Sequence, residues 1–324
     1  MKTEPRKNFI SKISQFVCFF GILLFICKSN GDVTITNQSG KVSVFVNGNL
    51  FTEYIFTNTP RPFLYPVIGP GGLKLTRDWP IVESSFEEHD HPHHKSLWFA
   101  HGDVNGVDFW TDGPNKGKIV HDSFILLQSG SSVGIIHAKN NWISPRGEII
   151  LIEDRLMKFH GDNKARFIDF EITLRPAASD VVLGDTKEGT MAIRIAESMR
   201  LRTKSGLGKG HIVNSSGVKD DLAWGKRADW CDYYGPVGSN IVGIAIFDHP
   251  KNPRHPTWWH VRDYGLFAAN PFGMHDFEKA PPNAGNLKIK SGESVTFRYR
   301  FYFHNGNTDE AEVAKYYEQY TNEN

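Results

Sequence analysis

An alternation of apolar and polar residues with a period of two is the feature that most limits how this chain can fold. The clearest case is near the C-terminus, where Val295, Phe297, Tyr299, Phe301 and Phe303 alternate with more polar residues. The same alternation recurs over residues 42–46, 168–174 and 191–195. Because successive side chains of a strand point to opposite faces, it predicts strands that each bury one face, as antiparallel strands do.

Turn and helix signals complete this prediction. Asn47-Gly48 between two strand-like segments is typical of a tight hairpin. Only residues 308–320 have a helical pattern, with an apolar stripe of Val313, Tyr316, Tyr317 and Tyr320. No repeat or linker divides the chain. We therefore predict an all-β fold, a large antiparallel β-sandwich with one C-terminal helix, as a single domain over residues 32–324.

The N-terminal segment, residues 1–31, has the pattern of an export signal. Four basic residues precede an apolar run over residues 13–27, and small residues at Ser29 and Gly31 follow it. The run is shorter than the roughly 20 residues of a membrane span, although an uncleaved anchor helix is the alternative. We predict that residues 1–31 are a signal peptide, that the protein is exported to the periplasm or secreted, and that it has no membrane contact after cleavage.

Charge and cysteine content narrow the possible partners. Residues 1–31 carry five of the 37 basic residues and one of the 36 acidic ones, which leaves 32 basic and 35 acidic residues. This balance does not indicate the basic face of a nucleic-acid-binding protein. Cys231 is the one cysteine outside residues 1–31, so neither an intramolecular disulfide nor a cysteine metal site is expected. The sequence gives no indication of oligomeric state.

A histidine-rich stretch over residues 86–103 is the first candidate site. Five of the 14 histidines fall within residues 89–101, and three acidic residues precede Pro92. Histidine exchanges protons near neutral pH and is the commonest metal ligand. Three interpretations stay open: acid–base or substrate contact, structural hydrogen bonding, and a divalent metal on His91, His93 or Asp90. Because the helical His-Glu-x-x-His spacing is absent, we predict no cofactor and keep the metal as an alternative.

The second candidate stretch, residues 247–273, joins a proline-rich loop to an aromatic segment with polar side chains. Such a mixture suits a sugar pocket, in which ring faces stack on C–H groups and forked donors bind hydroxyls or a carboxylate. A proline-braced loop over an aromatic core is the alternative. Arg194, within an apolar strand, and the segment 224–230 are lesser candidates. No Gly-x-Ser-x-Gly, P-loop or dinucleotide-binding motif supports a serine hydrolase, an NTPase or a Rossmann enzyme.

Several motifs resemble the PmoA-like family, which carries a "methane oxygenase" label in automated naming. The matching segments span nearly all of the chain after residue 31: Arg77-Asp78, His91-Pro92-His93-His94, residues 99–110, Lys187-Glu188-Gly189 and residues 262–273. A membrane methane monooxygenase subunit needs several apolar spans, and none is present after residue 31. The resemblance instead implies a secreted protein of polysaccharide-degrading bacteria, with a β-sandwich similar to the galactose-mutarotase-like supersandwich. A further resemblance, to a dehydratase of ulvan-type uronate oligosaccharides, is carried by no single motif.

The predicted function is β-elimination on acidic, uronate-containing oligosaccharides, by a dehydratase or a lyase. The alternatives are a glycoside hydrolase, a non-catalytic sugar-binding protein and, ranked lower, an iron or copper oxygenase. A base, an acid and a carboxylate-binding cluster are required. The catalytic candidates are His93, His101, His260 and Tyr264. The substrate-binding candidates are His91, His94, Trp98, Arg194, Arg227, Trp230, His255, Trp259, Arg262 and Asn270.

Overall fold

Two eight-stranded antiparallel sheets face each other across an apolar core in the computed structural model, which describes residues 1–2, 31–204 and 206–323. In chain order the strands are β1 (Val33–Gln38), β2 (Lys41–Val46), β3 (Asn49–Ile55), β4 (Phe63–Leu64), β5 (Leu97–His101), β6 (Lys118–Gln128), β7 (Val133–Ile143), β8 (Ile149–Gly161), β9 (Ala165–Pro176), β10 (Val181–Leu183), β11 (Gly189–Arg194), β12 (Arg202–Thr203), β13 (Gly206–Leu207), β14 (His211–Asn214), β15 (Trp230–Val237), β16 (Asn240–Asp248), β17 (Trp258–Val261), β18 (Leu266–Asn270), β19 (Leu287–Ile289) and β20 (Val295–Asn305). The two helices among the described residues are α1 (Met274–Glu278) and α2 (Val313–Asn322).

Each sheet combines local hairpins with long-range pairings. The first sheet has the strand order β1-β2-β3-β4-β5-β11-β18-β17, and the second has the order β14-β15-β16-β20-β9-β8-β7-β6. The turn predicted at Asn47-Gly48 joins β2 to β3, and both residues have a positive φ, 51° and 74°. Glycine adopts such an angle without steric cost, and asparagine tolerates it better than most residues.

The all-β prediction is confirmed, and the alternation in β20 shows why it works. Phe297, Phe301 and Phe303 are fully buried between the sheets together with Tyr299. The intervening residues of β20 face the other side of the second sheet, where α2 packs. Tyr317 and Tyr320 of α2 contact Phe247 there. The helix begins at Val313, later than predicted, because Glu312 has a left-handed backbone with φ of 50°.

Two predictions from the sequence differ from the structure. β11 is buried on both faces, whereas alternation predicts one exposed face. The short helix α1 was not predicted, since five residues carry too little periodicity to detect. Residues 3–30 of the predicted signal peptide lie outside the described residues. Within the part of the chain that is described, no helix is long and apolar enough to cross a membrane.

A buried charged cluster interrupts the apolar core near one end of the sandwich. Glu153 is fully buried on β8 and accepts hydrogen bonds from Arg155 Nε at 2.6 Å, Trp142 Nε1 at 2.7 Å and Asn140 Nδ2 at 2.9 Å. Its carboxylate therefore compensates a guanidinium that is itself 2 % exposed. Removing one partner of a buried ion pair leaves the other charge without compensation.

We expect Glu153→Ala to lower the free energy of unfolding by about 3–5 kcal/mol, because Arg155 would remain buried without a counter-charge. Glu171→Ala is the matched control, since Glu171 pairs with Arg298 at 3.1 Å but is 46 % exposed. An exposed pair of this kind contributes about 0–1 kcal/mol. Urea denaturation of both variants measures the difference, and equal losses would contradict the assigned role of Glu153.

Candidate active site

The outward face of the first sheet forms the floor of the candidate site. Trp98 on β5 lies opposite Ala192 on β11, Ala192 lies opposite Ala268 on β18, and Ala268 lies opposite His260 on β17. Small side chains therefore separate Trp98 from His260. Residues adjacent to these in each strand, such as Phe99 and Trp259, point into the core. The strand period thus places these four side chains on the side of the sheet away from the second sheet, where each is at most 3 % exposed.

A tight turn over residues 89–95, here called the His turn, lies over this floor. The amide of His94 donates to the carbonyl of His91 at 3.0 Å, and the His94 ring stacks on Trp98 with centroids 5.3 Å apart. His91 has a left-handed backbone with φ of 46°. This conformation is unfavourable for a residue with a Cβ, so other contacts must hold it.

Two buried arginines supply those contacts. Arg77 donates to the carbonyl of Asp90 at 2.9 Å and to that of His91 at 3.1 Å. Arg61 donates to the carbonyl of His93 at 3.2 Å. Both guanidiniums are at most 1 % exposed, so they act as internal braces of the loop. Carbonyl groups that a loop would otherwise leave unpaired thereby gain charged donors.

The carboxylate of Asp90 connects the braces to the floor. Its Oδ1 accepts hydrogen bonds from Arg77 and from Arg194 Nη2, the latter at 2.6 Å, and its Oδ2 lies 3.2 Å from His91 Nδ1. Burial alone would raise the pKa of Asp90, but the hydrogen bond of His91 and the charges of Arg194 and Arg77 outweigh it and hold this pKa well below its usual range. Asp90 is therefore ionised and orients the ring of His91.

Tyr264 is where the two stretches singled out in the sequence meet. Its ring stacks on His91 with centroids 4.9 Å apart and planes 2° from parallel. The guanidinium carbon of Arg194 lies 4.9 Å from the ring centre, and that of Arg262 lies 5.5 Å away. Burial raises the pKa of Tyr264 to about 12, against the opposing effect of the two arginines. The phenol is therefore protonated at neutral pH.

Arg262 differs from the other arginines of the site because its guanidinium has no hydrogen bond or ion pair with any residue that the structure describes. It contacts Tyr264 and the ring of Trp224, which lies 5.7 Å away. A cleft of about 200 Å³ opens beside it, lined by Asp221, Trp224, Val261, Arg262 and Asp263. Both carboxylates of that cleft are paired with Arg202. We call the space around His91, Tyr264, Arg262 and Trp224, which adjoins this cavity at Arg262 and Trp224, the Tyr264 cleft.

Three further histidines near the cleft are neutral at neutral pH. Burial lowers the pKa of His93 to about 4 and that of His260 to about 3, and nearby positive charges add to both effects. Burial also lowers the pKa of His94 well below its usual value. The His94 Nδ1 atom lies 3.3 Å from Arg194 Nη1 and accepts its proton. Such histidines are weak bases, and they suit hydrogen bonding better than proton abstraction.

The structure brings eight of the sequence-predicted residues together. Around the Tyr264 cleft and its floor lie His91, His93, His94, Trp98, Arg194, His260, Arg262 and Tyr264. The other six lie elsewhere and are engaged in internal contacts, so their predicted roles in substrate contact or catalysis were wrong. Most of the first group contact the ring of Tyr264 or Trp98 directly, whereas His93 contacts His91 and His94, and His260 contacts Trp224.

His101 and Asn270 lie inside the protein. His101 is 1 % exposed on the core side of β5, its Nε2 donates to the carbonyl of Gly184 at 2.9 Å, and burial lowers its pKa to about 4. The Nδ2 atom of Asn270 donates a hydrogen bond to the carbonyl of Thr186 at 3.0 Å, and its Oδ1 atom accepts one from the backbone amide of Phe272 at 2.8 Å. Neither side chain is available to a substrate, because burial and internal hydrogen bonds occupy both.

The remaining four corrected residues hold the structure together. Trp259 packs in the core and donates its indole N–H to the carbonyl of Ala228 at 2.9 Å. Trp230 lies in the apolar cluster beneath α2. Arg227 covers the ring of Trp258 at 4.6 Å and donates to loop carbonyls. His255 is held between Asp248 at 2.8 Å and Asp229 at 3.3 Å.

Sequence reasoning missed the roles of Arg61 and Arg77 and underrated Trp224. The Arg77-Asp78 pair was noted only as a motif, and its partners lie 11 to 14 residues away. Trp224 belongs to the segment 224–230, from which Arg227 and Trp230 were chosen instead. The charge of Arg61 and Arg77 could have revealed them, because an arginine within a mainly apolar segment must pair with another group or reach a cleft.

The side chains proposed for a metal do not fit a metal site. Across the described residues, no three His, Cys, Asp or Glu side chains are grouped as metal ligands. The carboxylate of Asp90 is occupied by Arg77 and Arg194, and a cation would have to displace them. We therefore derive no step through a metal.

Larger clefts occur away from these residues. One of about 730 Å³ lies among exposed loops at residues 105–107, 144–150 and 178–181. Another, of about 320 Å³, lies on the outward face of the second sheet. The Tyr264 cleft is distinguished by the convergence of an unpaired guanidinium, an oriented histidine and a protonated phenol. Such chemistry, rather than volume, defines it as the candidate active site.

These features define an all-β protein with two large antiparallel sheets and a polar cleft on the outward face of the first. The chain belongs to the family described as "Family of unknown function (DUF6807)", which it matches over residues 41–318. No curated protein matches the sequence.

Solved structures similar to the chain include glycoside hydrolases and galactose mutarotase-like proteins. A glycoside hydrolase family 97 enzyme from a Pseudoalteromonas species, solved with panose, is 9% identical over 85% of this chain and 34% of its own, with a TM-score of 0.33. A family 36 α-galactosidase from Geobacillus stearothermophilus, solved with raffinose, is 8% identical over 86% of this chain and 41% of its own, with a TM-score of 0.38. A galactose mutarotase-like protein from Lactobacillus casei is 9% identical over 84% of this chain and 100% of its own, with a TM-score of 0.33. The chain spans about a third of the family 97 enzyme. We therefore base the functional proposal on the residues of the cleft.

Because several buried histidines are neutral in the folded protein, we expect the free energy of unfolding to decrease as the pH is lowered. His101 has a pKa of about 4 in the folded protein and about 6.5 when unfolded, so the unfolded chain binds more protons between these values. Stability is therefore complete above pH 6.5 and falls as the pH drops towards 4. Between pH 7.5 and 5.0 this one residue accounts for about 2 kcal/mol.

His101→Gln tests this contribution, because the glutamine amide can still donate to the carbonyl of Gly184. We expect the variant to lose about 2 kcal/mol less stability than the parent protein between pH 7.5 and 5.0. Urea denaturation at the two pH values measures this difference. The same pH dependence in both proteins would show that His101 is not the titrating group.

Proposed function

We propose that the protein is a carbohydrate-active enzyme whose Tyr264 cleft binds a uronate-containing oligosaccharide and eliminates water or a sugar from it. A uronate presents a carboxylate together with ring C–H faces. The cleft offers a guanidinium for the first and aromatic faces for the second. The nearby carboxylates of Asp90, Asp221 and Asp263 are each paired with arginines, whereas the guanidinium of Arg262 is not, which leaves it for an anionic ligand.

The observation that carries the proposal is the unpaired Arg262 beside the Tyr264 ring on which His91 stacks. Arg262 is half-buried between two aromatic rings and has no acidic partner among the described residues, so its guanidinium is available to a ligand carboxylate. By contrast, Arg77 and Arg194 share Asp90, and Arg61 pairs with Asp112. Arg262 is therefore the group best placed to bind the substrate carboxylate and to stabilise charge that develops on it.

The proposed step uses His91, oriented by Asp90, as the base and the phenol of Tyr264 as the acid. The Nε2 atom of His91, whose Nδ1 faces Asp90, takes the proton from C5 of the uronate. The electron pair of that C–H bond forms the C4–C5 double bond, and the C4–O bond breaks. Tyr264, protonated at neutral pH, donates its proton to the departing oxygen, which leaves as water or as a sugar hydroxyl. An acid and a base on neighbouring rings meet the requirement for concerted proton transfer.

Hydrolysis is less well supported by the carboxylates near the cleft. A glycosidase of the usual type needs two carboxyl groups on either side of the scissile bond. Asp90 is bound by Arg77 and Arg194, and Asp108 is bound by Lys116 at 2.9 Å and by Thr111. Glu188, paired with Lys187, is the remaining carboxylate that acts on Tyr264. Asp221 and Asp263, which line the cavity beside Arg262, are both paired with Arg202. No two carboxylates that the structure describes near the cleft are therefore free of a basic partner.

We also propose that the protein is exported and related to the PmoA-like group. The charge and hydropathy pattern of residues 1–31 supports export. The motifs around Arg77, His91 and Arg262 support the relationship. Both fit a protein that meets polysaccharide fragments outside the cytoplasm.

We expect the purified protein to convert uronate oligosaccharides to 4,5-unsaturated products, followed by their ultraviolet absorbance and by mass spectrometry. A loss of 18 mass units marks dehydration, whereas cleavage without added water marks a lyase. The same oligosaccharides with their carboxyl groups chemically reduced are the matched control and should not react. A gain of 18 units would indicate a hydrolase. Tight calorimetric binding with intact substrate would indicate a binding protein.

Two variants separate binding from proton transfer. Arg262→Ala should raise KM for the uronate substrate at least tenfold, because a charged hydrogen bond contributes about 1.5–3 kcal/mol. Tyr264→Phe should lower kcat by about 10²–10⁴ with little change in KM, because the variant lacks the proton donor. Arg146→Ala, an exposed position in the turn between β7 and β8, is the control. Unchanged kcat in Tyr264→Phe would exclude the phenol as the acid.

A further inference from the structure

A second cleft, of about 320 Å³, lies on the outward face of the second sheet, against α2. The alternation of β8 directs Leu156, Lys158 and His160 to this face, and that of β20 directs Arg298 and Arg300 to it. Tyr320 of α2 forms a wall. The C-terminal helix thus encloses part of a sheet surface that would otherwise be open.

An oriented histidine lies in this cleft. His160 Nε2 is 3.1 Å from Asp169 Oδ2, and the His160 ring stacks on Phe167 with centroids 4.9 Å apart. Because the Asp169 carboxylate accepts the Nε2 proton, the Nδ1 atom of His160 is the ring nitrogen left for a ligand. Asp169 in turn accepts from Arg300 at 2.5 and 2.9 Å. The histidine is therefore fixed and can bind a hydroxyl group.

The cleft has three carboxylates and three cationic side chains, so its formal charges balance, but the pairing is uneven because Arg300 serves two carboxylates. Its three carboxylates are paired with arginines: Asp169 and Glu323 with Arg300, and Glu171 with Arg298 Nε. Lys158 lies on the same face, and its ammonium has no ion pair or hydrogen bond within the described ranges. The Nη groups of Arg298 likewise make no hydrogen bond there. A ligand with a negative charge would meet an unpaired ammonium and a partly free guanidinium.

The rest of the lining is apolar or aromatic. Val133 and Leu156 contribute aliphatic surface, and the ring of Tyr320 lies under Arg300 at 4.6 Å. An acidic sugar has a carboxylate, hydroxyl groups and apolar C–H faces. The cleft offers cationic donors for the carboxylate, His160 for a hydroxyl group and apolar surface for the C–H faces. A purely inorganic anion would leave the apolar surface unused.

We propose that this cleft is a second, non-catalytic binding site for a uronate sugar residue, recognised by Lys158, Arg298 and His160. The identity of the ligand rests on the function proposed for the Tyr264 cleft. The two clefts are on outward faces of opposite sheets, so one short oligosaccharide cannot occupy both. A long chain can be held at the second cleft while another part of it, or a neighbouring chain, reaches Tyr264.

Calorimetric titration of the full chain with glucuronate tests the proposal. Arg262→Ala serves as the background, because it weakens the Tyr264 cleft and leaves the second cleft as the main site. We expect one remaining site, which Lys158→Ala added to this background weakens about tenfold, as expected for a lost charged hydrogen bond. Lys139→Ala is the matched control, since Lys139 lies on the same outward face, on β7, outside the lining of the cleft.

NMR of the His160 ring shows whether glucuronate binds in the second cleft. Its proton resonances should shift on addition of glucuronate, whereas addition of neutral glucose should shift them little. Loss of affinity in both lysine variants, or an unmoved His160 resonance, would overturn the proposal.

The two proposals fail separately. Turnover of uronate oligosaccharides by the parent protein without glucuronate binding in the Arg262→Ala background would contradict only the second site. Binding that depends on Lys158, without any turnover, would contradict only the elimination reaction. The tethering role predicts that Lys158→Ala lowers the rate on long chains relative to the parent protein. The kinetics of the variant on short oligosaccharides should be unchanged.

Discussion

The carboxylate of Asp90 is the interaction on which the candidate site depends. Arg77 and Arg194 are both fully buried, and this carboxylate is the acidic group that they share. Two guanidiniums brought so close would repel each other and would each lack solvation without it. The same group accepts the Nδ1 proton of His91 and so fixes the ring that stacks on Tyr264. The Asp90 carboxylate thus contributes to the path of the loop, to the orientation of His91 and to the position of the ring that stacks on it.

The fold could be predicted from sequence because period-2 alternation is a local property. Phe297 to Phe303 show it in β20, and the structure buries these residues as expected. The sequence could not show that the outward face of β11 is covered, because the covering residues come from the His turn, about a hundred positions earlier. Alternation tells which residues share a face, but not which face a distant loop will cover.

The site was only partly predictable for a related reason. His91, Arg262 and Tyr264 were recognised because their residue types are unusual in packed strands. His101 has the same chemistry and lies in the core, since one step along β5 moves a side chain from the floor to the interior. Arg61 and Arg77 bind backbone carbonyls, and carbonyl partners leave no residue pattern to detect. Composition thus identifies chemical groups, whereas their accessibility depends on long-range packing.

The small residues of the floor have a consequence for how such a protein can diversify. Ala192 and Ala268 occupy adjacent outward positions between Trp98 and His260, while their strand neighbours fill the core. Both side chains are fully buried beneath the segments that cover this face, so enlarging either would displace those segments without altering the side chains between the sheets. The sheet therefore separates two sets of positions: one sets the course of the covering loops, and the other holds the two sheets together. Substitutions of the first kind would change the shape of the cleft through the loops while the core between the sheets stays the same.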